Sequence, residues 1–476
     1  MVPPNPSSPQ SVEPEVAALN AGGLELHNQG KIQEAISIFT EALRLAPRSG
    51  ILYYNLANSL KANREFESAV AHYRKSLELG LKIPEVLNNL GVSLRHLIKY
   101  NEALDCFKGA AYLDPSFKLA HLNIGFQLIL MGKPHKALTP LLAALKSDPG
   151  DGDVHWFLSH AYLILGDYDK GWKEYEWRWK KMDSSLAIRG LQQPLWTGDL
   201  FKDKTILLWS EQGFGDTLQF IRFARQVKAR GGKVLLECQP TLRRLLQRTD
   251  GIDIFIDQGE ALPDFDLQCP LLSLPKILGT TVETIPSMIP YVHVDPSAID
   301  YWKEHVEGEE GFKVGLVWSG NPIHEDDRNR SLDPELIQPL FRLSEVKFFS
   351  LQKGQAAAEA AALPLKDLSI LLTDFEKTAG LIEKLDLVIT VDTSVAHLAG
   401  ALGKEVWTLL PFSPDWRWLL NRPDSPWYPS MKLFRQTKPG DWKTVIKKVV
   451  QELSIVIKTR CKTRAPAGEA RPEKNM

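Results

Sequence analysis

The sequence predicts a multidomain chain: an all-α solenoid of helical hairpins, followed by an α/β region of two doubly wound lobes. Three observations predict it. Equivalent positions recur every 34 residues over the first third of the chain; short apolar runs then alternate with amphipathic helices; and glycine- or hydroxyl-rich loops follow three of those runs.

The repeat comes first in the argument because it sets the architecture of everything it covers. Gly30, Arg64, Ile98, Gly132 and Gly166 share one register, and Ala35, Ala69, Ala103, Ala137 and Gly171 another. Phe39, Tyr73, Phe107, Leu141 and Tyr175 form a third. Pro47, Pro115 and Pro149 close three of the repeats, with Leu81 in the proline's place in the second. Small residues let two helices approach, the aromatic fills the gap between them, and proline ends the second helix. A single hairpin leaves its apolar face exposed, so five of them stack. The pattern resembles tetratricopeptide repeats and predicts five over residues 16–182, after a disordered lead at 1–15.

A fourth register holds Asn55, Asn89 and Asn123, with Ala21 and Phe157 in the first and last repeats. A carboxamide donates and accepts, which suits the peptide groups of an extended ligand in the solenoid groove. It suits a local bond inside the hairpin equally well. Arrays of this kind in protein O-GlcNAc transferases look similar here, and the resemblance implies an acceptor groove at Asn55, Asn89 and Asn123. In the fifth hairpin Trp172, Trp177 and Trp179 crowd two turns; they read as packing against the next domain or as a ligand-stacking platform.

The chain has 476 residues, 24% of them charged, with a net charge of -1, so nothing global points to nucleic acid. The four cysteines are scattered with no metal-ligand spacing, which fits a reducing cytoplasm and no structural metal. No apolar run reaches the ~20 residues that span a bilayer. The first fifteen residues lack the apolar core of a signal peptide.

Beyond a linker at 183–203, strands are expected at TILLW (205–209), KVLLE (233–237), DIFI (253–256) and FDLQC. A second series follows at KVGLVW (313–318), VKFFSL, LSILL, DLVITV (386–391) and EVWTLL (405–410). The acidic stretch around Glu304–Glu310 divides the lobes into 204–310 and 311–457, and a polar, basic tail at 458–476 reads as disordered. Ligands of doubly wound sheets sit at the carboxyl ends of the strands, and three loops lie there. In SEQGFGDTLQF, Gly213 and Gly215 permit a tight turn, and Asp216 is either a helix N-cap or a general base. SGNPIHEDDRNRS supplies Gly320 and Asn321 amides with His324, Arg328 and Arg330, suited to a diphosphate or simply a solvated charged turn. In VDTSVAHLAGALGKEVW, Asp392, Thr393 and Ser394 open a helix whose N–H groups can meet an anion, with His397 one turn in.

These loops, with LLPFSPDWRWLL and SPWYP after them, resemble bacterial tetratricopeptide proteins carrying a heptosyltransferase-like glycosyltransferase module. The resemblance covers nearly all of residues 16–455. It implies a GT-B fold of two Rossmann-like lobes, no metal or other cofactor, and a nucleotide-diphosphate sugar as donor, held mainly by the second lobe. By position, Asp216 matches the proposed base. Asp392, Thr393 and Ser394 match the segment meeting the donor diphosphate, and His397 lies where the donor's sugar or phosphate is contacted. The family's lysine after the first strand of the second lobe is absent, so Arg328 or Arg330 is expected in its place.

The reading is a cytoplasmic glycosyltransferase with donor-side residues Gly213, Gly215, Gly320, Asn321, Arg328, Arg330, Asp392, Thr393, Ser394 and His397, whose repeats recruit a protein acceptor. Trp416, Arg417, Trp418 and Tyr428 flank a substrate or wedge their loop against the sheet. Two alternatives stay open: a glycolipid or oligosaccharide acceptor with the repeats docking a partner, and a catalytically silent scaffold.

Overall fold

A computed structural model of the protein describes residues 9–181, 189–324 and 327–464. By its internal contacts the chain divides into two units, one holding the chain up to Ala161 together with Lys180 and Lys181 and the other holding Tyr162–Trp179 together with the α/β region.

Ten helices form the five expected hairpins: α1 (Pro9–Asn28) with α2 (Ile32–Leu45), α3 (Gly50–Ala62) with α4 (Phe66–Glu78), α5 (Pro84–His96) with α6 (Tyr100–Leu113), α7 (Lys118–Leu130) with α8 (Pro134–Ser147), and α9 (Gly152–Ile164) with α10 (Tyr168–Tyr175). The register of Gly30, Arg64, Ile98, Gly132 and Gly166 has a backbone cause: all five turn with φ between 60° and 83°. The next N–H in each case bonds back to the fifth carbonyl before it: Lys31 to Leu26, Glu65 to Leu60, Lys99 to Leu94, Lys133 to Leu128 and Asp167 to Tyr162. The period is therefore one of left-handed C-caps that end the first helix of every hairpin. Phe39, Tyr73, Phe107 and Leu141 are fully buried at 0% exposure. A Cβ on Gly23, Gly91 or Gly125 would lie 2.4–2.6 Å from Phe39, Phe107 or Leu141, so the small residue of one helix receives the large one of the next.

Among the described residues of the α/β region, ten parallel strands form two sheets: β1 (Thr205–Trp209), β2 (Lys233–Cys238), β3 (Ile254–Asp257) and β4 (Leu267–Pro270), then β5 (Phe312–Val317), β6 (Val346–Ser350), β7 (Lys366–Asp367), β8 (Leu387–Val391), β9 (Val406–Leu410) and β10 (Met431–Arg435). Their orders are β3-β2-β1-β4 and β10-β9-β8-β5-β6-β7. Both are doubly wound: the order reverses between β1 and β4 and between β5 and β8, which opens a crevice at each place. The two Rossmann-like lobes of a GT-B fold are thus present. The strand expected at LSILL is a 3-10 turn, Ser369–Leu371, and the two-residue β7 takes its place at the sheet edge. The edge strand β10, a short run between Pro429 and polar residues, was not anticipated.

Several boundaries move. The lead expected at 1–15 is helical from Pro9, and residues 1–8 lie outside the described chain. The segment expected as a linker is held to the first lobe: Trp196 N–H donates to the Gln268 carbonyl at 2.8 Å, and Trp196 and Phe201 are buried. Residues 182–188 lie outside the described chain. Part of the segment expected in the first lobe packs on the second: Trp302 Nε1 donates to the Lys377 carbonyl at 2.8 Å, and Ala298 lies where a Gly380 side chain would be. The expected tail begins inside the helix Trp442–Arg464, whose Val445, Ile446, Val449, Leu453 and Ile457 cover one sheet face at helical spacing. From Ala465 onward the tail lies outside the described residues.

The fifth hairpin is divided. Its second helix, α10, is part of the α/β unit, where Tyr168, Trp172, Tyr175 and Arg178 are buried. Trp172 Nε1 donates to the Thr280 carbonyl at 3.1 Å, and its ring meets Trp416 edge-on at 5.2 Å. Arg178 is fully buried and forks onto Glu211 at 2.9 and 3.0 Å, with further bonds to Glu176 and Ser273. Trp179 packs beside Trp209 at 5.6 Å. Trp172 and Trp179 are thus packing residues of the α/β region. Among the described residues, no helix is long and apolar enough to cross a membrane.

Candidate active site

The loop after β1 turns at Gly213 into the helix Phe214–Phe220, and Asp216 has two partners there. One carboxylate oxygen accepts the Gly213 N–H at 2.9 Å. The other is paired with Arg417, which arrives from the loop after β9. The N-cap is therefore Gly213 rather than Asp216, which stands three residues on and bonds back to it, while its other oxygen meets a cation from the second lobe. The Asp216 side chain is 18% exposed. Burial pushes the carboxyl above the usual carboxylate range, against the pull of the Arg417 charge.

Arg417 also bonds Asp415 at 2.9 Å and Gln219 at 2.6 Å, and its guanidinium lies 4.3 Å from the Trp416 ring centre. Burial opposes its charge, and the Asp415 and Asp216 carboxylates outweigh that cost. Asp415 caps the turn Trp416–Trp418 by accepting the Arg417 N–H at 2.9 Å, which aims the side chain across the cleft.

From the second lobe, β8 ends in Asp392, Thr393 and Ser394, all half-buried where the residues beyond them are buried. Thr393 stands at the N-cap of the helix Ser394–Ala401, but its hydroxyl lies 3.2 Å from that of Thr390, and no side chain caps the helix. An uncapped first turn with positive dipole suits an anion. The Asp392 carboxylate accepts Trp418 Nε1–H at 2.7 Å, and its backbone carbonyl accepts Arg330 at 3.0 Å. Burial, then the Asp415 charge, pushes Asp392 up to about 6.

The loop after β5 divides the expected residues. Arg330 comes to the Asp392 backbone and pairs with Asp327 at 3.2 Å, close against Gly320. Arg328 is exposed. Asn321 accepts the Ile323 N–H at 3.1 Å and shapes its own turn. Glu325 and Asp326 lie outside the described residues. His324 is near enough to Asp216 to favour its ionised form.

His397 is buried, with Nδ1 2.9 Å from the Tyr428 hydroxyl and its ring stacked on Trp418 at 5.3 Å. A Cβ on Gly215 would lie 2.8 Å from His397 Cδ2, so that glycine admits the imidazole from the opposite lobe. Gly400 makes room for the Tyr428 ring, 2.4 Å from where its Cβ would be. Trp416, Trp418 and Tyr428 are buried wall rather than exposed flanks.

The asparagine register lies in the repeats. Asn55 Nδ2 donates to Asn20 at 2.8 Å, Asn89 to Asn58 at 3.0 Å and Tyr54 at 3.4 Å, and Asn123 to Asn88 at 2.9 Å while accepting Arg95 at 2.9 Å. Asn55→Asn20, Asn89→Tyr54 and Asn123→Asn88 repeat one step of 35 residues, so the register stitches each hairpin to the one before it. These bonds join neighbouring hairpins rather than lying within one, a use that neither the groove nor the within-hairpin reading named.

Residues 20–80 and 54–116 match the tetratricopeptide repeat family, and residues 345–419 match glycosyltransferase family 9, the heptosyltransferases. The chain thus carries segments similar to tetratricopeptide repeats and, further on, a segment similar to glycosyltransferase family 9. Over 432 residues it is 27% identical to Protein FlbA of Caulobacter vibrioides, covering 84% of this chain and 72% of that protein. YrrB, a TPR protein with an unusual peptide-binding site, is 20% identical over 35% of this chain and 87% of its own, at a TM-score of 0.31. MamA protein is 18% identical over 38% of this chain and 98% of its own, at a TM-score of 0.33. The family match spans β6 to the Trp416–Trp418 turn and so includes Asp392–His397 and Arg417.

Sequence reading missed Asp415, Gln219 and the pairing of Arg417 with Asp216. The one available signal was the single arginine between two tryptophans in DWRW, a charge that burial would force to find a carboxylate.

Proposed function

We propose that the chain transfers a sugar from a nucleotide-diphosphate sugar to a protein acceptor recruited by its repeats, in the cytoplasm and without a metal. The observation that carries the reading is that the Asp216 loop of one lobe abuts the Ser394–Ala401 helix of the other, Gly215 against His397, with Arg330 on the Asp392 carbonyl just before that helix. In this reading the donor diphosphate lies at Thr393 and Ser394. The acceptor hydroxyl attacks the anomeric carbon, the bond from that carbon to the diphosphate oxygen breaks, and Asp216 takes the hydroxyl proton. Charge growing on the leaving diphosphate is met by helix N–H groups and the Arg330 guanidinium. Gly213 and Gly215 let the base loop approach, and His397 supplies a neutral polar group beside the donor. The scattered cysteines, with Cys238 and Cys269 buried as free thiols, support a reducing compartment.

The test is a panel of nucleotide sugars with release of nucleotide diphosphate as readout. Asp216→Asn should lose at least a hundredfold in turnover, in the usual range for a general base, with nucleotide binding kept. Arg330→Ala should weaken nucleotide-diphosphate affinity by roughly ten- to a hundredfold, the loss of a charged hydrogen bond, and Arg328→Ala should not. Unchanged affinity in Arg330→Ala would mean the donor lies elsewhere.

A further inference from the structure

Behind His397 lies a group of buried side chains that the reaction described above does not use. Arg222 is 5% exposed, and among the described residues none of its three guanidinium nitrogens has a partner within hydrogen-bond geometry, the Tyr291 hydroxyl being its nearby polar neighbour. It is enclosed by aromatic rings instead, 4.6 Å from the centre of Tyr291, 5.0 Å from Tyr428 and 5.6 Å from Trp427. A cation placed against phenol rings favours hydroxyl protons that point away from it. Tyr291 obeys this, donating its proton to the Leu218 carbonyl at 2.9 Å. Tyr428 has the Tyr291 hydroxyl as a neighbour, and among the described residues its hydrogen-bond partner is His397 Nδ1, also at 2.9 Å.

Resting on the transferase reading of the cleft, we propose that Tyr428 is a positioning residue whose hydroxyl donates to His397 Nδ1, with Arg222 setting the direction of that bond. The imidazole is thereby held as the tautomer carrying its proton on Nε2. A neutral imidazole whose Nδ1 accepts has only Nε2 left to donate. The neutral form is the stable one here, because burial pushes His397 down to about 3, and burial likewise keeps the Tyr428 proton in place. Arg417, Arg222 and Arg330 add to the first effect, and Asp415 opposes it. The Nε2 edge faces Gly215, where a Cβ would come within 3.4 Å of that nitrogen. The absence of a side chain at Gly215 leaves that edge open to the loop that carries Asp216. His397 then presents an N–H to a phosphate or sugar oxygen of the donor, without adding a charge that would hold the leaving diphosphate after transfer.

The experiment is long-range proton–nitrogen correlation on the full chain labelled at its 11 histidines, with His397→Asn to assign the signal. No donor is added. Wild type should show His397 with a pyridine-like Nδ1 and a protonated Nε2. Tyr428→Phe keeps the ring under Gly400 and removes only the hydroxyl; its His397 should lose the fixed tautomer, and turnover with donor should fall about tenfold, as for one lost hydrogen bond. Arg222→Met should loosen the tautomer with Tyr428 intact. A protonated Nδ1 in wild type, or an unchanged tautomer in Tyr428→Phe, overturns the assignment. Because the tautomer is read in the free protein, failure of every nucleotide sugar to react would count against the transferase reading and not against the Tyr428–His397 bond.

Discussion

Replacing Arg417 with methionine removes the cation beside Asp216 while keeping much of the side-chain volume. Asp216 is 18% exposed, and its carboxyl already titrates above the usual range because burial outweighs the arginine's pull. An adjacent arginine lowers a carboxylate pKa by roughly 1–3 units, so its loss should raise Asp216 by about that much, or ~1.4–4 kcal/mol. The base would then keep its proton to higher pH than in wild type. In kcat/KM against pH, the acid limb should move upward by about 1–3 units, with activity recovering as pH rises. Arg417→Lys retains a charge and should leave the limb near its wild-type position. Stability moves with the opposite sense. A carboxyl whose folded pKa exceeds its unfolded value makes the fold bind more protons, so stability falls as pH rises between the two values. That window widens in Arg417→Met, and the variant should gain thermal stability on acidification relative to wild type. An acid limb that stays in place in Arg417→Met would refute Asp216 as the group whose protonation limits the rate.

Ile98 holds a left-handed turn at φ 60°, costly for a β-branched residue, and Ile98→Gly should raise stability by about 1 kcal/mol in urea unfolding. Loss of stability there would mean the side chain's packing outweighs its strain. Asn123→Ala strips partners from Asn88 and Arg95 and should cost about 1–2 kcal/mol; unchanged stability with lost acceptor binding would instead make the register a ligand surface. A fragment beginning after residue 182 loses Trp172, Tyr175 and Arg178 and leaves Glu211 buried without its cation, each a change of about 3–5 kcal/mol. It should show no cooperative unfolding, whereas one beginning at Tyr162 should; a cooperative transition in the shorter fragment would show α10 to be dispensable.

What the sequence determined by itself is whatever depends on near neighbours along the chain. A period of 34 residues is a statement about helix length and C-cap geometry, and all five turn residues could be read from it. The strand runs 205–209 and 386–391 announced themselves by unbroken apolar character, as parallel strands buried on both faces do. That placed the GFGD, SGNP and DTSVAH loops at strand ends before any coordinates. The tertiary structure alone decided which of those residues meet. Asp216 and Arg417 are 201 residues apart, and their pairing follows from the loop after β1 of one sheet meeting the loop after β9 of the other. The same holds for the partner of His397, for Arg330 over Arg328, and for the asparagines, whose 35-residue step is one turn of stacking rather than one turn of chain. The place where the repeats end was also beyond local reading. In α10 the repeat pattern runs on unbroken while Trp172 and Arg178 are buried with the α/β unit, because periodicity records how a helix is made and burial records what it is packed against.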